Sequence, residues 1–103
     1  MKRLSDEHMR RIAGRARALA DVTRLRIIDL LGRAELPVGK IATSLEAEPS
    51  TVSKHLQVLF REGLVERRRS ASTVIYSIAD AELIDCCRYL AEPRIGRRSS
   101  QGS

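Results

Sequence analysis

Val52, Leu56 and Leu59 recur at spacings of four and three along the stretch from Glu48 to Gly63, and directly after Gly63 the apolar spacing falls to two. A chain that changes period at a glycine is expected to turn from helix to strand there, because helices repeat every 3.6 residues and strands every two. Pro49 suits the first turn of this helix, and Gly63 suits its end. The opposite face carries Ser50, Ser53, Lys54, Gln57 and Arg61, with no carboxylate before Glu62. Hydroxyls, an amide and cations suit phosphate oxygens and base edges in a DNA major groove. An ordinary amphipathic surface helix would show two such faces as well, so the neighbouring segments carry the decision.

Residues 4–20 read as a first helix, with Ser5 as N-cap and Asp6 and Glu7 at its positive end. Its apolar stripe is Ile12, Ala16, Leu19 and Ala20, expected to meet the main core or a second copy. Asp21 caps a second helix reaching about Arg33, with Leu25, Ile28 and Leu31 in line and Ile27 and Leu30 beside them. Leu36-Pro37-Val38 is an extended link into a third helix, Val38 to Leu45. The break at 46–49 then leads into the basic helix, which makes a helix-turn-helix pattern. Leu64–Arg67 and Thr73–Ile78 read as strands, with Val74, Tyr76 and Ile78 on one face and the basic segment 68–72 between them. A last helix follows, Ala81 to Ala91, with Asp80 before it and Pro93 after it. The expected fold is mainly α with a small β-hairpin, α-α-α-α-β-β-α: a winged helix-turn-helix. Residues 1–92 would form one DNA-binding and dimerisation domain, and 93–103 a flexible basic tail.

Composition narrows the partners. The 103 residues carry a net charge of +6, which suits a polyanion: DNA first, RNA second and an anionic membrane third. No apolar run approaches the roughly 20 residues that span a bilayer, so no membrane partner is expected. No apolar segment follows the basic start, so no secretory signal is expected. The two cysteines, Cys86 and Cys87, are adjacent, which leaves no distant partner for a structural disulfide and suits a reducing cytoplasm. Aromatics are only 3%. The core must therefore be aliphatic and small, and dimerisation would add burial.

Five segments in this order resemble the ArsR/SmtB family of bacterial winged-helix repressors. They are Ala18-Leu-Ala-Asp-Val-Thr-Arg-Leu-Arg-Ile27, Glu35-Leu-Pro-Val38, Ser50-Thr-Val-Ser-Lys-His-Leu-Gln-Val-Leu59, Glu62-Gly-Leu-Val65 and Val74-Ile-Tyr76. The resemblance implies a homodimer built on the first and last helices. It also implies an inverted-repeat operator in a promoter and an inducer that lowers DNA affinity. The sequence departs from the family in three places. Pro37 and Gly39 stand where a metal-sensing cysteine motif would lie. Asp80, Glu82 and Asp85 are present near the last helix, but no histidine follows His55 to complete a zinc site there. Ala71-Ser72 replaces the Gly-Arg common at the wing tip.

The candidate DNA-binding residues are Ser50, Thr51, Ser53, Lys54, Gln57 and Arg61, joined by the wing cations Arg67, Arg68 and Arg69. Gln57 is the best base reader, since its amide pairs with adenine. His55 lies near the apolar face and reads as a structural histidine bonded to backbone; His8 reads as a surface residue. Cys86 and Cys87 have three readings: core residues, thiols for oxidation or persulfidation, or soft ligands for a metal(loid) such as arsenite. Arsenite favours three sulfurs, so one chain would need a partner's thiol or a small thiol. No certain cofactor and no enzymatic reaction follow from the sequence, since no nucleophile–base pair or phosphate loop is present. The alternative to a repressor is a winged-helix protein-interaction module without sequence-specific DNA binding.

Overall fold

The computed structural model describes residues 3–93. Most of the tail expected at 93–103 lies outside the described residues. The elements in chain order are α1 (Asp6–Leu19), α2 (Val22–Leu31), β1 (Leu36–Pro37), α3 (Val38–Leu45), α4 (Pro49–Arg61), β2 (Val65–Ser70), β3 (Thr73–Ile78) and α5 (Glu82–Ala91).

Local chemistry sets most of the boundaries. Ser5 Oγ accepts from the His8 N–H at 3.1 Å, and the Ser5 N–H donates back to His8 Nδ1 at 3.3 Å. His8 is exposed, as expected, and is also half of a capping box. Asp21 Oδ1 accepts from the Arg24 N–H at 3.0 Å and opens α2. That helix stops at Leu31, two residues before the expected end, where the Gly32 and Arg33 N–H groups turn to the Ile28 and Leu30 carbonyls. α3 ends on Glu46 in the left-handed region, φ 53°, with the Ala47 N–H closing on the Ala42 carbonyl at 3.0 Å. α4 ends the same way: Gly63 takes φ +75°, and the Leu64 N–H reaches the Leu59 carbonyl at 2.9 Å. This left-handed closure satisfies the last helical carbonyls and re-aims the chain into β2.

The three strands form an antiparallel sheet in the order β1-β3-β2. The link at Leu36-Pro37 is itself a strand, because Leu36 pairs with Tyr76 and Pro37 with Ile75. Pro37 is tolerable there because β1 is an edge. β2 runs three residues further than expected, to Ser70, so Arg68 and Arg69 belong to the ladder and only Ala71-Ser72 turn the hairpin.

The core is aliphatic, as composition requires. Val52, Leu56 and Leu59 of α4 are fully buried against Ile27, Ile28 and Leu31 of α2, Ile41 and Ala42 of α3, and Leu64, Val65 and Tyr76 around the sheet. Leu25, expected in the buried line of α2, is 39% exposed instead. α1 differs more. It buries Gly14 and Ala18, while Ile12 is 52% exposed and Leu19 only half-buried. The reason is proximity: a Cβ on Gly14 would stand 2.8 Å from Glu62 Oε1, so α1 approaches the end of α4 along its small residues. α5 buries no residue fully; Leu83, Ile84 and Cys87 rest on the core, while Tyr89 and Leu90 are 60% and 69% exposed.

Candidate nucleic-acid interface

α4 carries its buried stripe and its polar face on opposite sides. Ser50, Thr51, Lys54, Gln57 and Arg61 are exposed, and Ser53 is half-buried at the margin. Arg15 of α1 donates from Nε to the Glu62 carbonyl at 3.2 Å, a cation at the negative end of α4. Lys54, Arg61 and Gln57 have no hydrogen-bond or ion-pair partner among the described residues, so their donors face solvent.

The wing cations are not equivalent. Register pairs Arg67 with Tyr76 and Arg69 with Val74, which puts both on the inner face of the sheet; Arg68, opposite Ile75, lies on the other. The Arg67 guanidinium stacks 3.9 Å over the Phe60 ring, tying the wing to the last turn of α4. Arg68 pairs with Glu35 at 2.7 Å, reaching past β3 to the residue before β1. Both groups of that pair are exposed, so it contributes at most about 1 kcal/mol, and Arg68 remains accessible to a phosphate. Arg69 has no partner among the described residues, next to the turn at Ala71, whose φ is 57°. The expected basic loop is therefore a two-residue tip flanked by a basic strand.

His55 is half-buried, but its partner is not backbone. Its Nδ1 lies 3.1 Å from the Arg24 guanidinium. This corrects the expectation, and sequence reading missed Arg24 altogether: nothing local marks that arginine apart from its neighbours Arg17 and Arg26. Asp21 beside it has a carboxyl held below its ordinary value. The main cause is the hydrogen bond from the Arg24 N–H; desolvation opposes it, and the charge of Arg24 adds to the lowering.

Cys86 and Cys87 diverge as adjacent helical residues must. Cys87 is half-buried against the core, and burial, then the neighbouring Cys86, pushes its thiol up from the ordinary value. Cys86 is exposed and lines a groove of about 880 Å³ between α1 and α5, with Ile12, Ala16, Leu19, Leu83 and Leu90. Among the described residues no three His, Cys, Asp or Glu side chains gather closely enough to hold a metal ion. A soft metal(loid) on these thiols would need sulfur from beyond one chain.

The family model described as "Bacterial regulatory protein, arsR family" matches residues 21–67, from the cap of α2 into β2. The "Transcriptional activator HlyU" of Vibrio cholerae is 40% identical over 67 residues, 65% of this chain and 62% of that protein. The "Transcriptional repressor SmtB homolog" of Synechocystis is 39% identical over 75 residues, 73% of this chain and 57% of that protein. The chain thus matches about three fifths of the length of these two relatives. Among solved structures, the homodimeric winged helix-turn-helix DNA-binding domain from Mycobacterium bovis superposes with a TM-score of 0.80 at 33% identity, covering 96% of this chain and 97% of that one. The solved HlyU of Vibrio cholerae gives 0.76 at 31%, covering 84% and 98%. These are regulators rather than enzymes, and on both sequence and winged helix-turn-helix fold the chain belongs to the ArsR family of bacterial regulatory proteins.

Proposed function

We propose that this chain is a cytoplasmic, homodimeric repressor that binds an inverted-repeat operator through α4 and the wing. The observation that carries the reading is the polar face of α4: five exposed hydroxyl, amide and cationic side chains, with their donors unspent, on a helix whose other face is fully buried. Lys54, Arg61 and the wing arginines would supply phosphate attraction, and Gln57 with Ser50, Thr51 and Ser53 would set register and read bases. The exposed apolar residues of α1 and α5 favour a second copy, which would set two α4 helices about one DNA turn apart. The named relatives include an activator and a repressor. Occlusion of a promoter needs only tight binding, which is what these surfaces would provide. The thiols on α5 would couple an inducer, by oxidation, persulfidation or a soft metal(loid) such as arsenite, to a weaker-binding dimer.

Fluorescence anisotropy on DNA upstream of the protein's own gene tests this. Reduced protein should bind tightly, and Lys54→Ala should weaken binding and lower the log–log salt slope by about one unit. Salt-insensitive association with a protein, and none with duplex DNA, would favour an interaction module instead. Replacing both cysteines with serine should leave basal binding and abolish induction.

A further inference from the structure

Arg24 stands where three helices meet. Its Nε donates to the Ala18 carbonyl at 2.6 Å and its Nη2 to the Arg17 carbonyl at 3.4 Å, both at the end of α1. Its Nη1 lies 3.1 Å from Nδ1 of His55, the residue after Lys54 on α4. A guanidinium has donors only. His55 must therefore accept, with Nδ1 bare and its ring proton on Nε2. We propose that Arg24 and His55 are a positioning pair that holds α4 against the α1–α2 corner, and that a proton on His55 releases this hold and weakens DNA binding. The inference rests on the reading of α4 as the DNA-contacting helix.

The chemistry is one of acceptor loss. A proton on Nδ1 removes the acceptor and sets two cations at hydrogen-bond distance. The carboxylate on which a charged ring would act is Asp21, which caps α2. Of the carboxylates at the ends of α4, Glu48 is exposed and Glu62 is half-buried beside Gly14. Arg15 of α1 is held at the Glu62 carbonyl, and Arg67 of β2 is stacked on Phe60. Lys40 of α3 is exposed, as are Lys54 and Arg61 of α4 itself. Arg24 and Asp21 thus oppose each other over one imidazole.

The test uses the full chain. Imidazole ¹⁵N shifts at pH 8 should show His55 protonated on Nε2; a proton on Nδ1 overturns the proposal. Affinity for the own-promoter duplex is then followed at constant ionic strength from pH 8 to 5.5. Wild-type affinity should fall by about fivefold or more. His55→Asn places its Oδ1 where Nδ1 stood and takes no proton. It should bind like wild type at pH 8 and keep that affinity at pH 5.5. A flat wild-type profile, or a His55→Asn profile parallel to it, overturns the proposal. Arg24→Gln should bind weakly throughout; if that variant fails to fold, the His55→Asn comparison still decides. Absence of binding by both proteins at pH 8 overturns the DNA reading and this inference with it, while the tautomer still shows whether the pair exists.

Discussion

Ala71 sits at the hairpin tip with φ 57°, a region that costs an L-residue about 1–2 kcal/mol. Glycine removes the clash but adds freedom to the unfolded chain. Ala71→Gly should therefore stabilise the protein by about 0.5–1 kcal/mol in urea denaturation, and a loss would mean the wing turn is held differently. At the cysteines, Cys86 is exposed on a single copy, while burial raises the Cys87 thiol. In the monomeric form, iodoacetamide at neutral pH should label Cys86 first by mass spectrometry, and faster labelling of Cys87 would contradict its place against the core. Asp21 gives a pH test with a definite sign. Its carboxyl is held below the ordinary 3.8, chiefly by the Arg24 N–H. Its contribution to stability is thus present above the ordinary value and lost as pH falls through the folded one. Asp21→Asn keeps a capping oxygen without the titration. Its melting temperature should fall less than that of wild type between about pH 5 and pH 3; an equal fall would remove Asp21 from the acid response.

At the scale of the element, α4 divides stability from recognition. Leu56 is fully buried, and Leu56→Ala should cost about 2–5 kcal/mol. Gln57 is exposed one residue later, and Gln57→Ala should change stability by less than about 0.5 kcal/mol. If Gln57 reads a base, the same variant relaxes operator preference, which anisotropy on single-base operator variants would show. Uniform weakening across those operators would make it a backbone contact instead. The wing behaves as a unit with α4 because Arg67 lies over Phe60, so the hairpin is anchored at its base rather than at its tip.

For the whole molecule, a single copy leaves apolar surface uncovered. Ile12 on α1 and Leu90 on α5 line the same groove, and both are more than half exposed. An exposed apolar groove on a small basic chain favours association. The double variant Ile12→Glu, Leu90→Glu should shift sedimentation toward the monomer while circular dichroism stays unchanged. An unaltered dimer would place the interface elsewhere.

Elements governed by neighbouring residues are legible in the sequence. The cap at Ser5, the opening of α2 at Asp21, the full span of α3 and the glycine that ends α4 all depend on hydrogen bonds made within a few positions. Apolar period is equally local, so the buried stripe of α4 can be named residue by residue. Contacts that cross the chain are not legible in the same way. Arg24 meets His55 from 31 positions away, Arg68 meets Glu35 from 33, and Arg15 meets Glu62 from 47. The third strand at Leu36-Pro37 exists only because β3 lies beside it, and α1 buries Gly14 rather than Ile12 only because α4 ends there. Sequence alone determined the five helices and the hairpin, since capping and period are short-range; tertiary structure decided the third strand and which side chains the elements hold, since those partners are chosen by packing and not by distance along the chain.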